Sequence, residues 1–252
     1  MFEVTSDLVL FLLGAALLAG FVDSIAGGGG LITLPALLLA GASPLGALST
    51  NKVQSIFGSA TSAYSYAVSG HVDPRSQIRA ATVAFLAGSA GAWSASLVPM
   101  ESLRIALPVI LIAIAAFFAF RRGLNDLDRV RRISPLAFTA FVVPVVGFYD
   151  GAVGPGAGSF YMLGFVTLAG YGVLKATAHT KMLNFASNFG GFLAYALTGH
   201  AWWAIGLAMG VAQIIGARIG SRMAMKQGAR LIRPLLVVTS TLMALRLVWQ
   251  ML

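Results

Sequence analysis

Two lysines, Lys52 and Lys181, lie in segments that carry few other charges, and each has polar residues close to it in the chain. In an α-helix, residues three or four positions apart share a face, so each ammonium group is predicted to have amide or hydroxyl groups beside it. The expected neighbours are Asn51, Ser55, Thr180 and Asn184. Two such cations predict a site for a small anion. The ordinary alternative is a lysine near a helix end that extends its side chain to water.

Glycines form two short runs, Gly27 to Gly30 and Gly154 to Gly158. Glycine costs up to about 1 kcal/mol in a helix interior, so both runs predict a break in a helix. A helix that restarts after each break, at Leu31 and at Ser159, would point its free N–H groups into the site, and helix N-termini favour anions. The glycines placed in the site by this reasoning are Gly29, Gly30, Gly156 and Gly158. The alternative is that the glycines serve only close packing.

An aspartate precedes each glycine run: Asp23 the first and Asp150 the second. Each carboxylate could form an ion pair with a lysine or carry a proton or ion that is coupled to the anion. The chain has no cysteine and only three scattered histidines, so no metal-ligand spacing is present. No nucleophile–base arrangement and no phosphate-binding loop stand out either. The sequence predicts no catalytic residue, no metal and no other cofactor.

The elements that position these residues must lie in a membrane. Of the 252 residues, 58% are hydrophobic and 10% are charged, whereas a soluble domain carries about 25% charged residues. At roughly 20 residues for each crossing, the length allows about eight to ten transmembrane segments and no separate soluble domain. The net charge of +9 sits mainly in short loops, as expected for cytoplasmic loops of a membrane protein, and predicts no nucleic-acid partner.

The chain resembles itself at two places, which predicts a duplication. Asp23 aligns with Asp150, and Gly27 aligns with Gly154. After a small gap, Lys52 aligns with Lys181, Tyr66 with Tyr195, and the pair Gly70-His71 with Gly199-His200. Internal repeats of this kind are typical of secondary transporters.

Loop charges predict that the two repeats have opposite orientations. Basic residues follow the first Gly-His pair but not the second, whereas the next loop shows the reverse pattern, and a third basic group lies in the central linker with Arg121, Arg122 and Arg129. Placing all three basic loops in the cytoplasm inverts one repeat relative to the other. We therefore expect an all-α polytopic protein with a first repeat over 1–120, a basic cytoplasmic linker over 121–135 and a second repeat over 136–252.

With the basic loops in the cytoplasm, the number of crossings between them requires residues 8–41 to begin and end on one side of the membrane, and residues 136–172 to do the same. The second arms, 31–41 and 158–170, are short for a full crossing. We expect two helical hairpins that turn at the glycines. One residue fits this topology poorly, since Arg246 falls near the predicted outer end of the last helix.

The motifs GFVDSIAGGGGLITLPALL and STNKVQSIFGSATS in the first half resemble the first signature of the TauE/SafE family of sulfite and organosulfonate exporters. GFYDGAVGPGAGSFYMLGF and ATAHTKMLNFASNFGGF resemble the second signature, so the resemblance covers essentially the whole chain. It implies a multi-pass transporter of a bacterial or archaeal inner membrane for sulfite or a related anion. The named substrate rests on this resemblance alone.

Three functions compete at this point. The first is a secondary transporter, an exporter, of a small sulfur-containing anion that works by alternating access, with the lipid bilayer as its surroundings and a proton or ion as a candidate coupling partner. The second is an anion channel, and the third is a membrane scaffold that transports nothing. The sequence does not predict the oligomeric state.

Overall fold

The computed structural model describes residues 6–99, 101–102, 109, 128, 130–228 and 230–231. Within these residues all regular structure is helical, which confirms the predicted all-α class. The elements are α1 (Ser6–Ala26), α2 (Gly30–Leu39), α3 (Pro44–Val68), α4 (Pro74–Ser96), α5 (Pro135–Ala152, with a π-helical turn over Phe138–Val142), α6 (Ala157–Thr167), α7 (Val173–Ala196) and α8 (Trp203–Gln227).

Several predictions lie outside the described residues. These are residues 103–108 and 110–120 at the end of the first repeat, the basic residues Arg121, Arg122 and Arg129 of the linker, and the last helix with Arg246.

The helix lengths agree with a membrane setting. Three helices, α1, α5 and α8, are long and apolar enough to cross a bilayer. The helices α3, α4 and α7 have 25, 23 and 24 residues, so their length also suffices, but α3 and α7 carry the polar residues of the site. The short helices α2 and α6 have 10 and 11 residues and reach only about 15 Å, half the thickness of the hydrocarbon core.

Both predicted hairpins are present, and each turns at its glycine run. The second arms begin at Gly30 and Ala157, one and two residues before the predicted starts. Gly27 has φ +74° and Gly154 has φ +97°, backbone conformations that side chains other than glycine rarely adopt. The glycine runs therefore end α1 and α5 and allow the chain to reverse.

Apolar side chains gather in two clusters. The Met209 cluster joins the beginnings of α1, α3 and α8 to the ends of α2, α4 and α7; its members include Leu12, Leu37, Leu45, Ala95, Tyr195 and Met209. The Phe165 cluster joins the beginnings of α4, α5 and α7 to the ends of α3, α6 and α8; its members include Tyr66, Val72, Phe138, Phe165, Val173 and Ala224. The two clusters lie at opposite ends of the helices, and the buried polar residues lie between them.

Equivalent helices of the two halves begin at matching positions. Pro44 and Val173 start α3 and α7, Pro74 and Trp203 start α4 and α8, and each pair is separated by the same 129 residues that separate the two lysines. The helix contacts match as well, since α1 packs on α8 as α5 packs on α4, and α3 packs on α8 as α7 packs on α4.

The helices α3 and α7 contact each other and run in opposite directions. The N–H of Trp202, which follows α7, donates to Thr50 Oγ1 near the start of α3 at 2.9 Å. At the other end, Val72, which follows α3, shares the Phe165 cluster with Val173 at the start of α7. Antiparallel equivalent helices are what an inverted repeat requires. The inverted topology itself stays a prediction, because it depends on where the membrane lies.

Candidate functional site

The tips of the two hairpins meet between the apolar clusters. The Ser159 hydroxyl, in the first turn of α6, lies 2.8 Å from the carbonyl of Ala26 and 2.7 Å from that of Gly27. A Cβ atom on Gly27 would stand 2.5 Å from the Ser159 nitrogen, so only glycine permits this approach. On the other side of the contact, Gly30 lies against Pro155. The two helix breaks therefore build one joint centre.

Lys52 is held entirely within this centre. Its ammonium group lies 2.8 Å from Asp150 Oδ1 and 3.0 Å from Asn188 Oδ1, and it also donates to the backbone carbonyl of Asp150. The lysine and aspartate side chains are 1% and 2% exposed. The second carboxylate oxygen accepts from the hydroxyl of Ser187 and, at 3.1 Å, from Asn188 Nδ2. The alternative interpretation, a lysine that extends its side chain to water, is wrong for Lys52, because its ammonium group is buried and paired with Asp150.

Lys181 forms the matching pair with Asp23. Its ammonium group lies 3.2 Å from Asp23 Oδ2 and also donates to the backbone carbonyl of the same residue. The other oxygen of this carboxylate accepts from the amides of Gly28 and Gly29, at 3.0 and 3.3 Å. The Lys181 side chain is completely buried, whereas that of Asp23 is 17% exposed. This pair is thus the more open of the two.

The two ion pairs cross between the halves of the chain. Lys52 of the first half binds Asp150 of the second, and Lys181 of the second half binds Asp23 of the first. Each pair is formed by a residue just before a glycine turn and a residue one third of the way along α3 or α7. Any movement of one half against the other therefore acts directly on two buried ion pairs.

A small cavity of about 20 Å³ opens beside the hairpin tips. That volume suits one or two water molecules. Of the predicted binding residues, the cavity is lined by Asn51, Ser55, Asn184, Gly29, Gly30 and Gly158, together with the predicted coupling residues Asp23 and Asp150.

Four predicted binding residues do not line the cavity. Lys52 and Lys181 lie behind their aspartates, Gly156 caps α6 with φ +77°, and the buried Thr180 hydroxyl has no hydrogen-bond partner within the described residues. Four lining residues were absent from the predicted site: Gly28, Gly154, Asn188 and Gln213.

Sequence signals for the missed residues differ in strength. Asn188 shares a helix face with Lys181 and Asn184 by spacing, so its position beside the cavity could be predicted from the sequence. Gln213 is an amide in the middle of the small-residue helix α8 and belongs to no repeated motif, so the only sequence signal for it is its polarity inside an apolar helix.

Hydrogen-bond donors face the cavity from several directions. Among the residues that the structure describes, the amides of Gly30 and Gly158, at the starts of α2 and α6, donate to no acceptor. The carboxamide nitrogens of Asn51 and Asn184 likewise have no acceptor there. Helix starts carry partial positive charge, so these donors suit an oxyanion. The described residues contain no cluster of His, Cys, Asp and Glu that could hold a metal ion.

The chain is similar to a known protein family and to several bacterial proteins. The family model described as "Sulfite exporter TauE/SafE" matches residues 12–247. A Sinorhizobium protein named probable membrane transporter protein ORF9 is 51% identical over 97% of this chain and 94% of its own length. The probable membrane transporter protein YfcA of Escherichia coli K12 is 44% identical over 99% and 93%. A probable membrane transporter protein of Haemophilus influenzae is 38% identical over 98% and 97%.

No solved structure gives a significant match. The family model covers nearly the whole chain, with both glycine runs and both lysines inside the matched region. The chain therefore belongs to the TauE/SafE family of sulfite exporters.

Proposed function

We propose that this chain is a secondary transporter that exports a small sulfur-containing anion, such as sulfite or an organosulfonate, as a multi-pass protein of a bacterial or archaeal inner membrane. The observation that carries the proposal is the pair of crossed, buried ion pairs beside a cavity that two helix starts line. Buried charges of this kind are expensive in a membrane and need a functional reason.

The charges of the site favour an anion that enters together with a balancing positive charge. The two lysines and two aspartates sum to zero, so an added singly charged anion, such as hydrogen sulfite or a sulfonate, leaves one uncompensated negative charge in a buried, poorly solvated place. Such a charge is costly unless it is paired. Uptake of a proton by the more exposed Asp23 would restore neutrality. This makes proton coupling through Asp23 part of the proposal.

The crossed pairs support alternating access as the mechanism. Among the described helices, α1, α2, α3 and α8 pack mainly with one another, and α4, α5, α6 and α7 do the same. Each ion pair joins one of these two groups to the other, so rocking of one group would lengthen both pairs while the helices within a group stay packed. An anion between the hairpin tips can then bridge the cations and donors of both halves. The cavity would open toward one side at a time.

The direct test is flux of sulfite and organosulfonates into or out of proteoliposomes that contain the purified protein. Lys181→Ala should abolish the flux, because the cation that balances the site is lost. Lys175→Ala is the matched control, since its ammonium group is 46% exposed, pairs with Asp128 and lies outside the cavity. Flux that Lys181→Ala leaves undiminished would contradict the site.

The channel is the second candidate. It predicts conductance much faster than a carrier cycle and no exchange of labelled for unlabelled anion against a gradient. The cavity beside the hairpin tips has room for only one or two water molecules, which favours the carrier over an open pore.

A further inference from the structure

A chain of three buried carboxamides joins Gln213 of α8 to Asn51 of α3, and both end residues line the cavity. Gln213 Nε2 donates to Gln54 Oε1 at 2.7 Å, and Gln54 Nε2 donates to Asn51 Oδ1 at 2.8 Å. The Thr33 hydroxyl, on α2, donates to the same Asn51 oxygen at 2.6 Å. These four side chains are at most 3% exposed. Within the polar layer, they therefore form a continuous hydrogen-bonded path.

The direction of this path fixes how Asn51 faces the cavity. Its carboxamide oxygen already accepts two hydrogen bonds, from Thr33 and Gln54, so the oxygen is held away from a ligand. The nitrogen of the same group makes no hydrogen bond to a described residue and lies near Gly30, 3.6 Å from where a Cβ atom there would stand. Asn51 is thus presented to the cavity as a donor, which suits an anionic oxygen.

The place of Gln213 is fixed by two glycines. A Cβ atom on Gly20 of α1 would stand 2.5 Å from the backbone oxygen of Gln213. A Cβ atom on Gly58 of α3 would overlap the Gln213 side-chain oxygen. Since both neighbouring helices approach this residue closely, its side chain has little freedom and can hold Gln54 in one orientation.

The path joins the two halves but has no second copy related by the duplication. The separation of 129 residues that relates Lys52 to Lys181 also relates Gln54 to Leu183 and Ala84 to Gln213. The equivalent positions are therefore an apolar Leu183 and an Ala84 that has no polar side chain. The ion pairs occur twice, but this path occurs once, so its role is separate from that of the repeated charges.

We propose that Gln213 is a positioning residue for anion recognition, acting through Gln54 to hold the Asn51 carboxamide as a donor to one oxygen of the substrate. This inference rests on the proposed function and adds to it a specific recognition group. The path makes one side of the site selective for an oxyanion, whereas a halide could use the helix starts but would gain less from a fixed donor.

The test is a double-mutant cycle on sulfite transport in proteoliposomes. Gln213→Met keeps the length of the side chain and removes the donor. We expect it to raise the KM for sulfite about tenfold and to change the maximal rate by less than about twofold, as expected for one hydrogen bond to a charged group. Asn51→Ala should raise KM at least as much. In the Asn51→Ala background, Gln213→Met should have no further effect, because the group that it positions is gone.

Two further variants make the cycle decisive. Gln54→Met interrupts the path at its middle and should match Gln213→Met, which provides a second measurement if one variant is poorly folded. Ser221→Ala, a buried hydroxyl on the same helix outside the cavity, is the matched control and should leave KM unchanged. Chloride competition should be affected less than sulfite binding by all three path variants.

The outcomes separate the two claims. If the wild-type protein moves no sulfur-containing anion, the proposed function fails and this inference fails with it. If the wild type transports sulfite but Gln213→Met behaves like Ser221→Ala, only the inference is overturned. Additive effects of Gln213→Met and Asn51→Ala would also overturn it, because they would show that Gln213 acts independently of Asn51.

Discussion

The two crossed ion pairs should differ in what they contribute to stability, although they occupy equivalent positions. Lys52→Met leaves the Asp150 carboxylate 2% exposed in its present position, without its counter-ion. Removing one partner of a buried pair typically costs about 3–5 kcal/mol. Each carboxylate keeps two other hydrogen-bond donors when its lysine is lost, Ser187 and Asn188 for Asp150 and the amides of Gly28 and Gly29 for Asp23. Only Asp23, at 17% exposed, also keeps contact with water, so we expect a smaller cost of about 1–3 kcal/mol for Lys181→Met.

A second substitution tests the physical cause. In the Lys52→Met background, Asp150→Asn removes the unpaired charge but can keep the hydrogen bond from Asn188. We expect it to restore at least about 2 kcal/mol, since the penalty arises mainly from the buried charge. Both lysine variants and the double variant should be inactive in transport. The double variant should therefore recover stability without recovering transport.

The measurement is equilibrium unfolding in mixed micelles with increasing sodium dodecyl sulfate, followed by the fluorescence of the four tryptophans. The predicted order of stability is wild type, Lys181→Met, then Lys52→Met, with the double variant between wild type and Lys52→Met. Equal losses for the two lysines, or a double variant less stable than Lys52→Met, would refute the reasoning from burial.

Three further predictions follow from other contacts. Gly27→Ala should destabilise the protein by about 1–3 kcal/mol more than Gly70→Ala, because both have φ +74° but only Gly27 has backbone of the other hairpin within 3 Å; equal melting temperatures would contradict the tip contact. Hydrogen bonds from the Lys175 ammonium and the Gly172 amide lower the pKa of Asp128 below its usual 3.8, so the contact between the linker and the start of α7 should be intact above pH 3.8 and weaken as the pH falls through the lowered pKa. Hydrogen exchange of the Gly172 amide measures this contact. In Asp128→Asn, the Gly172 amide should exchange faster at neutral pH than in the wild type. Because the chain lacks cysteine, Ser55→Cys can be labelled alone. A small organosulfonate, which unlike sulfite does not consume thiol reagents, should slow its reaction with a small thiol reagent. Ser62→Cys, buried away from the cavity, should react hardly at all with or without the sulfonate.

Much of the fold could be predicted from residue types alone. The glycine runs broke the helices within two residues of the predicted positions, because glycine is unfavourable in helices wherever the chain folds. The structure places the aligned pairs Asp23 with Asp150 and Lys52 with Lys181 in one centre. These features depend on local preferences and on duplication, both of which are visible in a single sequence.

The contacts inside the centre could not be predicted in the same way. Spacing placed Lys52 and Lys181 in the binding surface, but it could not show that each would reach across to the aspartate of the other half. Gln213 lies far from Gln54 and Asn51 in sequence, and only the packing of α8 against α3 joins them. Contacts between distant segments depend on the helix arrangement, which a residue pattern alone does not specify.

The most direct test of the transport claim is counter-flow of sulfite in proteoliposomes. Vesicles loaded with unlabelled sulfite are diluted into medium with a trace of ³⁵S-sulfite, and the label inside is followed over time. An alternating-access carrier must accumulate label transiently above its outside concentration, and Lys181→Ala must abolish the overshoot while Lys175→Ala retains it. Label that only equilibrates in the wild-type vesicles, or an overshoot that persists in Lys181→Ala, would contradict the account.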